Sequence, residues 1–252
     1  MLKQGILTTA AAFFVLLVMF GGWLLTNGLL HREHIKLMNM EHSIKVNKPQ
    51  VALEAIETSN ITLGTDKIGD ILRVWNAGRR SHYHDPYDGQ LTMEEAIDAA
   101  NSGLVYLCDR GALPQELLEK EFTQTNAFLY DVQEKKTAPV RENPDPAYSF
   151  WSVNLINREV SIRLVLNALT GRIWMADLRS SAPGINFDHQ EAVAILKAYE
   201  GYLGLAGGDV FWRDDANVLK TYGHNQFGMT VYKRTGESGH DQYLHFSLAK
   251  AR

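Results

Sequence analysis

From Gln4 to His31 the chain carries no charged side chain, and within it the stretch Ile6 to Leu30 is apolar, with Phe13 to Phe20 unbroken at its centre. A helix rises about 1.5 Å per residue, so this stretch reaches roughly 37 Å, enough for a hydrocarbon core of about 30 Å. The chain is therefore expected to contact a lipid bilayer through residues 6–30, with its folded part beginning beyond them. The run leads into Leu29-Leu30-His31-Arg32-Glu33 without the small-residue pattern of a cleavage site. That favours a retained, single-pass transmembrane anchor over residues 1–31 rather than a cleaved signal peptide.

The flanking charges give a conflicting orientation. Lys3 precedes the apolar stretch, whereas Arg32, Lys36, Lys45 and Lys48 follow it. The positive-inside rule, applied to these flanks, runs against export of the C-terminal part, although long domains cross regardless of such charges.

About 220 residues follow the anchor, enough for one large domain or two small ones. The net charge of −4 is spread along the chain, so no basic face points to nucleic acid. Cys108 is the sole cysteine, which excludes an intramolecular disulfide and leaves stability to packing.

Residues 32–89 read as a tether and lead-in segment. Pro49 should end any outward extension of the membrane helix. Residues 50–80 are ambiguous between strand and short helix, although Ile71, Val74 and Trp75 suit a packed segment. His82 to Gly89, with Asp85-Pro86 and Asp88-Gly89, reads as a loop.

A helix then starts clearly. Thr92 and Glu95 stand at capping-box spacing, Ile97, Ala100, Leu104 and Leu107 continue one face, and Gly111 and Pro114 break it. Strand-like segments follow at Ala127 to Val132, Phe150 to Leu155, Val160 to Leu166 and Ile173 to Leu178. Trp151, Val153 and Leu155 share one face, as do Val160, Ile162, Leu164 and Leu166, and Asn167 to Gly171 turns the chain. Period-two alternation between turns marks an antiparallel meander with one buried face.

The grammar repeats. Leu91-Thr92-Met93-Glu94-Glu95-Ala96-Ile97 aligns with Phe187-Asp188-His189-Gln190-Glu191-Ala192-Val193, which predicts a second helix capped by Asp188. Ile195, Leu196, Tyr199, Tyr202 and Leu203 give its face, and Gly204 to Gly208 its end. Four strand candidates follow, at 210–213, 218–222, 229–233 and 243–248. The expected fold class is α+β, two helix-plus-antiparallel-sheet units over 90–180 and 187–252.

Tyr148 to Val153 and Val165 to Ile173, with the helix Met93 to Ala100 ahead of them, resemble a PepSY-type domain. Such a domain carries a helix in a Leu-Glu-Ala-Ile-x-x-Ala context, a strand of the Trp-x-Val kind, and a turn containing Thr-Gly. Asn167 stands where that pattern often has Asp. The likeness covers residues 90–178 and, faintly, 187–250, where Arg234-Thr235-Gly236 is the nearest echo of the turn. It implies a PepSY/cystatin-like fold, as in peptidase propeptides and germination proteins of the YpeB type. It also implies a non-catalytic bacterial protein in the cell membrane, its C-terminal region extracytoplasmic, that restrains or stabilises a partner enzyme.

Candidate chemistry is sparse. His82, His84, Asp85 and Asp88 are the densest metal-ligand cluster, but they sit in a polar turn with no cysteine nearby. No cofactor is expected. Cys108 has no Cys-His signature, Ser149 and Ser152 have no nucleophile elbow, and Asp214-Asp215 reads as a turn. Trp151, Trp174 and Trp212 suit a core. Tyr222, Tyr232 and Tyr243 have polar neighbours and are the candidate partner-binding residues. The leading expectation is thus a non-catalytic protein that binds and regulates or stabilises a protein partner, a peptidase or cell-wall enzyme. The alternative is a tethered ligand or metal sensor built on the His82 to Asp88 loop.

Overall fold

The computed structural model describes residues 44–45, 62–77, 79–133, 145–188, 190–205, 209–214, 217–222, 227–236 and 241–250. The apolar stretch 6–30 lies outside them. No helix among the described residues is long and apolar enough to cross a membrane. Residues from His42 onward belong to one compact unit.

The order is β1 (Ile44–Lys45), α1 (Thr65–Ala77), β2 (Arg79–Tyr83), α2 (Met93–Asp109), a 3-10 turn (Gln115–Glu119), β3 (Glu121–Phe122) and β4 (Gln124–Gln133). A second 3-10 turn (Pro146–Tyr148) leads to β5 (Ser149–Ile156), β6 (Val160–Asn167) and β7 (Ile173–Ser180). Then come α3 (Ala192–Leu203), β8 (Asp209–Asp214), β9 (Asn217–Tyr222), β10 (Phe227–Thr235) and β11 (Gln242–Lys250). The fold is α+β.

Nine strands form one antiparallel sheet in the order β2-β4-β5-β6-β7-β11-β10-β9-β8, and β1 pairs with β3 apart from it. The strands of segments 90–180 and 187–252 meet where β7 pairs with β11, Leu178 opposite Leu244 and Ala176 opposite Phe246.

One face of the sheet carries α2 and α3. Trp151, Val153, Leu155, Ile162, Leu164, Leu166, Leu178, Leu244 and Phe246 alternate onto it, all at most 4% exposed. Trp151 Nε1 donates to the Leu91 carbonyl at 2.9 Å, Tyr199 packs edge-on against Phe246, and Tyr199 and Tyr202 hydroxyls bond the Ile173 backbone.

The other face is half covered. At one end α1 lays Trp75 against Phe150 (ring centroids 4.4 Å) and Trp174 (5.9 Å). A bulge makes this possible. Val165 pairs with Met175 and Leu166 with Ile173, so Trp174 is the extra residue and reaches the α1 side while Ile173 stays under α2 and α3. Part of the segment read as tether and lead-in, 32–89, is therefore core: Ile68, Ile71, Leu72 and Val74 of α1 are buried.

Local chemistry explains the helix ends. The Thr92 hydroxyl accepts from Glu95 N–H, and the Glu95 carboxylate accepts from Thr92 N–H, the full capping box. The Thr92 N–H and then its hydroxyl, both donating to the Glu95 carboxylate, hold that carboxyl below its usual pKa. Both α2 and α3 close with a left-handed glycine: Ala112 N–H bonds Leu107 O and Gly111 N–H bonds Cys108 O, as Leu205 and Gly204 do to Glu200 and Gly201. The second cap departs from expectation. The residue that caps α3 is Glu191, with no side-chain cap bond, while the Asp188 carboxylate accepts from Thr235 Oγ1. Relative to the aligned residues Thr92 and Asp188, α3 begins three residues later than α2.

Candidate functional site

The open half of the outer face is polar, and one carboxylate organises it. Asp177 on β7 lies opposite His245 on β11. Its Oδ1 accepts from Tyr243 Oη at 2.7 Å and from His245 Nδ1 at 2.7 Å. A carboxylate only accepts, so Nδ1 carries a proton, and Nε2 stands 3.0 Å from Ser247 Oγ. Ser247 Oγ is also 3.2 Å from Thr230 Oγ1 on β10. Burial would raise the Asp177 pKa, but the bonds from His245 and Tyr243 and the charges of His245 and Arg163 outweigh it and hold the carboxyl below its ordinary range. Burial, and then the Asp177 bond and charge, push the Tyr243 hydroxyl up to about 12.

Ser247, His245 and Asp177 thus stand in the order of an acyl-transfer triad. Ser247 is 8% exposed, its oxygen is shared with Thr230, and it does not line the neighbouring cleft. The chain of bonds instead locks β7, β10 and β11 together and holds Tyr243 still.

Tyr243 forms one wall of a cleft of about 640 Å³ where β6, β7, β10 and β11 end. Its ring meets Tyr232 at 5.9 Å in an edge-to-face pair, and the Arg179 guanidinium lies 5.6 Å from its centroid. Arg158, from the β5–β6 turn, and Arg234, on β10, also line the cleft, as do Glu159 and Asp241. Glu159 is paired with Lys120 at 2.9 Å.

Tyr232 and Tyr243, two of the expected partner-binding residues, therefore come together here. Tyr222 lies in β9, and its side chain is outside the described residues. The ligand-like cluster divides. His82 is on strand β2 rather than in a loop, its side chain outside the described residues, while His84 follows the strand end. Both His84 nitrogens are engaged, Nε2 with Asp131 at 2.8 Å and Nδ1 with the Asp85 carbonyl at 2.6 Å, and the ring stacks on Tyr87 at 4.4 Å. Asp131 also accepts from Ser149, which accepts from Gln90. This network staples the 84–90 turn to β4 and β5. Asp85 and Asp88 are exposed, and no group of three potential metal ligands occurs among the described residues.

Cys108 is buried, and burial, with the charges of Asp109 and Glu116, pushes its thiol up to about 12. Trp151 and Trp174 are core residues. Asp214 ends β8, paired opposite Asn217.

Asp177, His245 and the three arginines were not singled out by sequence reasoning. Alternation holds the signal for some of them: Asp177 and Arg179 interleave with Ala176 and Leu178, and so must face away from the core.

The chain matches no family model, and no curated protein or solved structure is significantly similar to it.

Proposed function

We propose that this protein is a non-catalytic, membrane-anchored bacterial protein that binds a protein partner outside the cell membrane and regulates or stabilises it. On this reading the anchor is residues 6–30, and the α+β region is PepSY/cystatin-like, built from two related units. The partner class that the PepSY-like segments imply is a peptidase or cell-wall enzyme. The observation that supports binding is the cleft, where the Tyr232–Tyr243 pair stands beside Arg158, Arg179 and Arg234. Tyrosine and arginine are the side chains on which protein interfaces most often concentrate their energy, and a Tyr held by Asp177 loses little freedom on docking.

Crosslinking the full chain in native membranes, followed by partner identification, tests the reading. A defined partner recovered repeatedly above background is expected; its repeated absence counts against the proposal. Protease accessibility on intact cells fixes the sidedness, and protection of the C-terminal region would overturn the extracytoplasmic placement.

A further inference from the structure

We infer that the cleft at the ends of β6, β7, β10 and β11 is the docking site for an acidic peptide segment of the partner. The inference rests on the protein-binding reading and specifies its chemistry. Three guanidinium groups reach the cleft from three different places: Arg158 from the β5–β6 turn, Arg179 from β7 and Arg234 from β10. Among the described residues, none of the three is paired with a carboxylate, whereas Lys67, Arg73 and Lys120 each are. Of the two acids that line the cleft among the described residues, Glu159 is already paired with Lys120.

Among the described residues the local balance is therefore cationic, on a chain whose net charge is −4. Arg158, Arg179 and Arg234 are all exposed, where charge steers encounter, and Arg179 stands over the Tyr243 ring. Guanidinium groups pair carboxylates through two parallel bonds, which favours an acidic side chain or chain terminus over a diffuse anion.

The remaining lining suits a polypeptide. The Tyr232–Tyr243 pair offers a flat aromatic surface to an apolar side chain, and Ser161, Ser181 and Gln242 supply polar groups for a backbone. The volume of about 640 Å³ falls in the range of ligand-sized sites of roughly 300–1,000 Å³. A bilayer surface would meet a convex basic face, whereas these arginines converge on a concavity that also presents Glu159 and Asp241.

The test uses the full chain in zwitterionic nanodiscs and fluorescein-labelled heptapeptides read by anisotropy. The probes are Gly-Glu-Glu-Leu-Glu-Glu-Gly, the same peptide with Gln for every Glu, and one with Lys for every Glu. The acidic peptide should bind at least about tenfold more tightly than the Gln peptide, weaken as salt rises, and lose binding in the double variant R158E/R234E. Both positions are exposed, so that variant should keep the circular dichroism and melting curve of the parent. Equal binding of the acidic and Gln peptides, or undiminished binding by R158E/R234E, overturns the inference. So does capture of phosphatidylglycerol vesicles in preference to the acidic peptide.

The crosslinking experiment separates the two claims. A partner captured by the parent and equally by R158E/R234E removes the cleft as its site and leaves the function standing. Loss of that partner in the variant supports both, and no partner for the parent removes the function.

Discussion

Asp177 Oδ1 and His245 Nδ1 stand 2.7 Å apart across the β7–β11 seam, the line along which β2, β4, β5, β6 and β7 join the last four strands of the chain. Each side chain is about one quarter exposed. The pair therefore does two things at once: it ties the halves of the sheet, and through the shared oxygen it fixes Tyr243 at the cleft wall.

Asp177→Asn should destabilise the fold by on the order of 1–3 kcal/mol at about pH 7, because two donors lose a charged acceptor. The pH dependence follows from the depressed carboxyl. A group held below its unfolded value, about 4, stabilises above that value, and the contribution disappears as pH falls through the native value. The difference between parent and variant in thermal melts should accordingly shrink on acidification below about pH 4. A gap that stays constant down to the acid limit would show that Asp177 contributes no charge-dependent stability.

Asn167 has a reason to be an amide. Its Oδ1 accepts from the Leu169 and Thr170 N–H groups and from the Thr170 hydroxyl, as a turn-forming Asp would. Its Nδ2, however, donates to the Ala147 carbonyl at 2.7 Å, which a carboxylate cannot do. Asn167→Asp should cost roughly 1–3 kcal/mol at neutral pH. Burial beside a carbonyl raises the introduced carboxyl above its unfolded value, so the loss should ease as pH falls and the protonated acid regains a donor. Urea denaturation at neutral and acid pH checks the sign.

Gly103 marks the closest approach of α2 to its neighbours. A Cβ placed there would lie 2.5 Å from Ile173 Cδ1 and 2.8 Å from Tyr202 Oη, in a region with no exposure to relax into. Overpacking of about 1–3 kcal/mol exceeds the gain of about 1 kcal/mol from replacing a helical Gly. Gly103→Ala should therefore be destabilising. Gly201→Ala meets only the half-exposed Tyr106 hydroxyl at 3.2 Å, and should be neutral or mildly stabilising. Paired chemical denaturation curves distinguish the two sites.

The Cys108 thiol, buried and pushed up to about 12, should resist alkylation by iodoacetamide in the native protein and react once denaturant exposes it. Rapid native labelling, followed by mass spectrometry of intact protein, would contradict the packing seen around it.

Much of the secondary structure was legible because it is written in local chemistry. Thr92 and Glu95 cap α2 through bonds that span three residues, and the alternation of Val160, Ile162, Leu164 and Leu166 sets a buried face without reference to anything distant. The seven-residue likeness around Asp188 failed as a cap for the same reason in reverse. Cap geometry depends on where the helix begins, and α3 begins only at Ala192, with Glu191 as its cap. In α1, Ile68, Ile71, Leu72 and Trp75 fall at helical spacing, but a short apolar run does not by itself separate helix from strand.

The candidate site was legible only in fragments. Tyr232 and Tyr243 stood out by their polar neighbours, yet nothing near either one specifies the other, Asp177 or Arg158. By itself, the sequence determined the apolar stretch 6–30, the α+β class, the Thr92–Glu95 cap of α2 and the inward faces of β5 and β6, all products of contacts within a few residues. Only the tertiary structure decided that nine strands form one sheet, that Trp174 turns at a bulge to meet α1, and that three arginines converge beside two tyrosines. Those outcomes depend on which strands pair across long separations, a choice governed by burial of the whole sheet rather than by any local pattern.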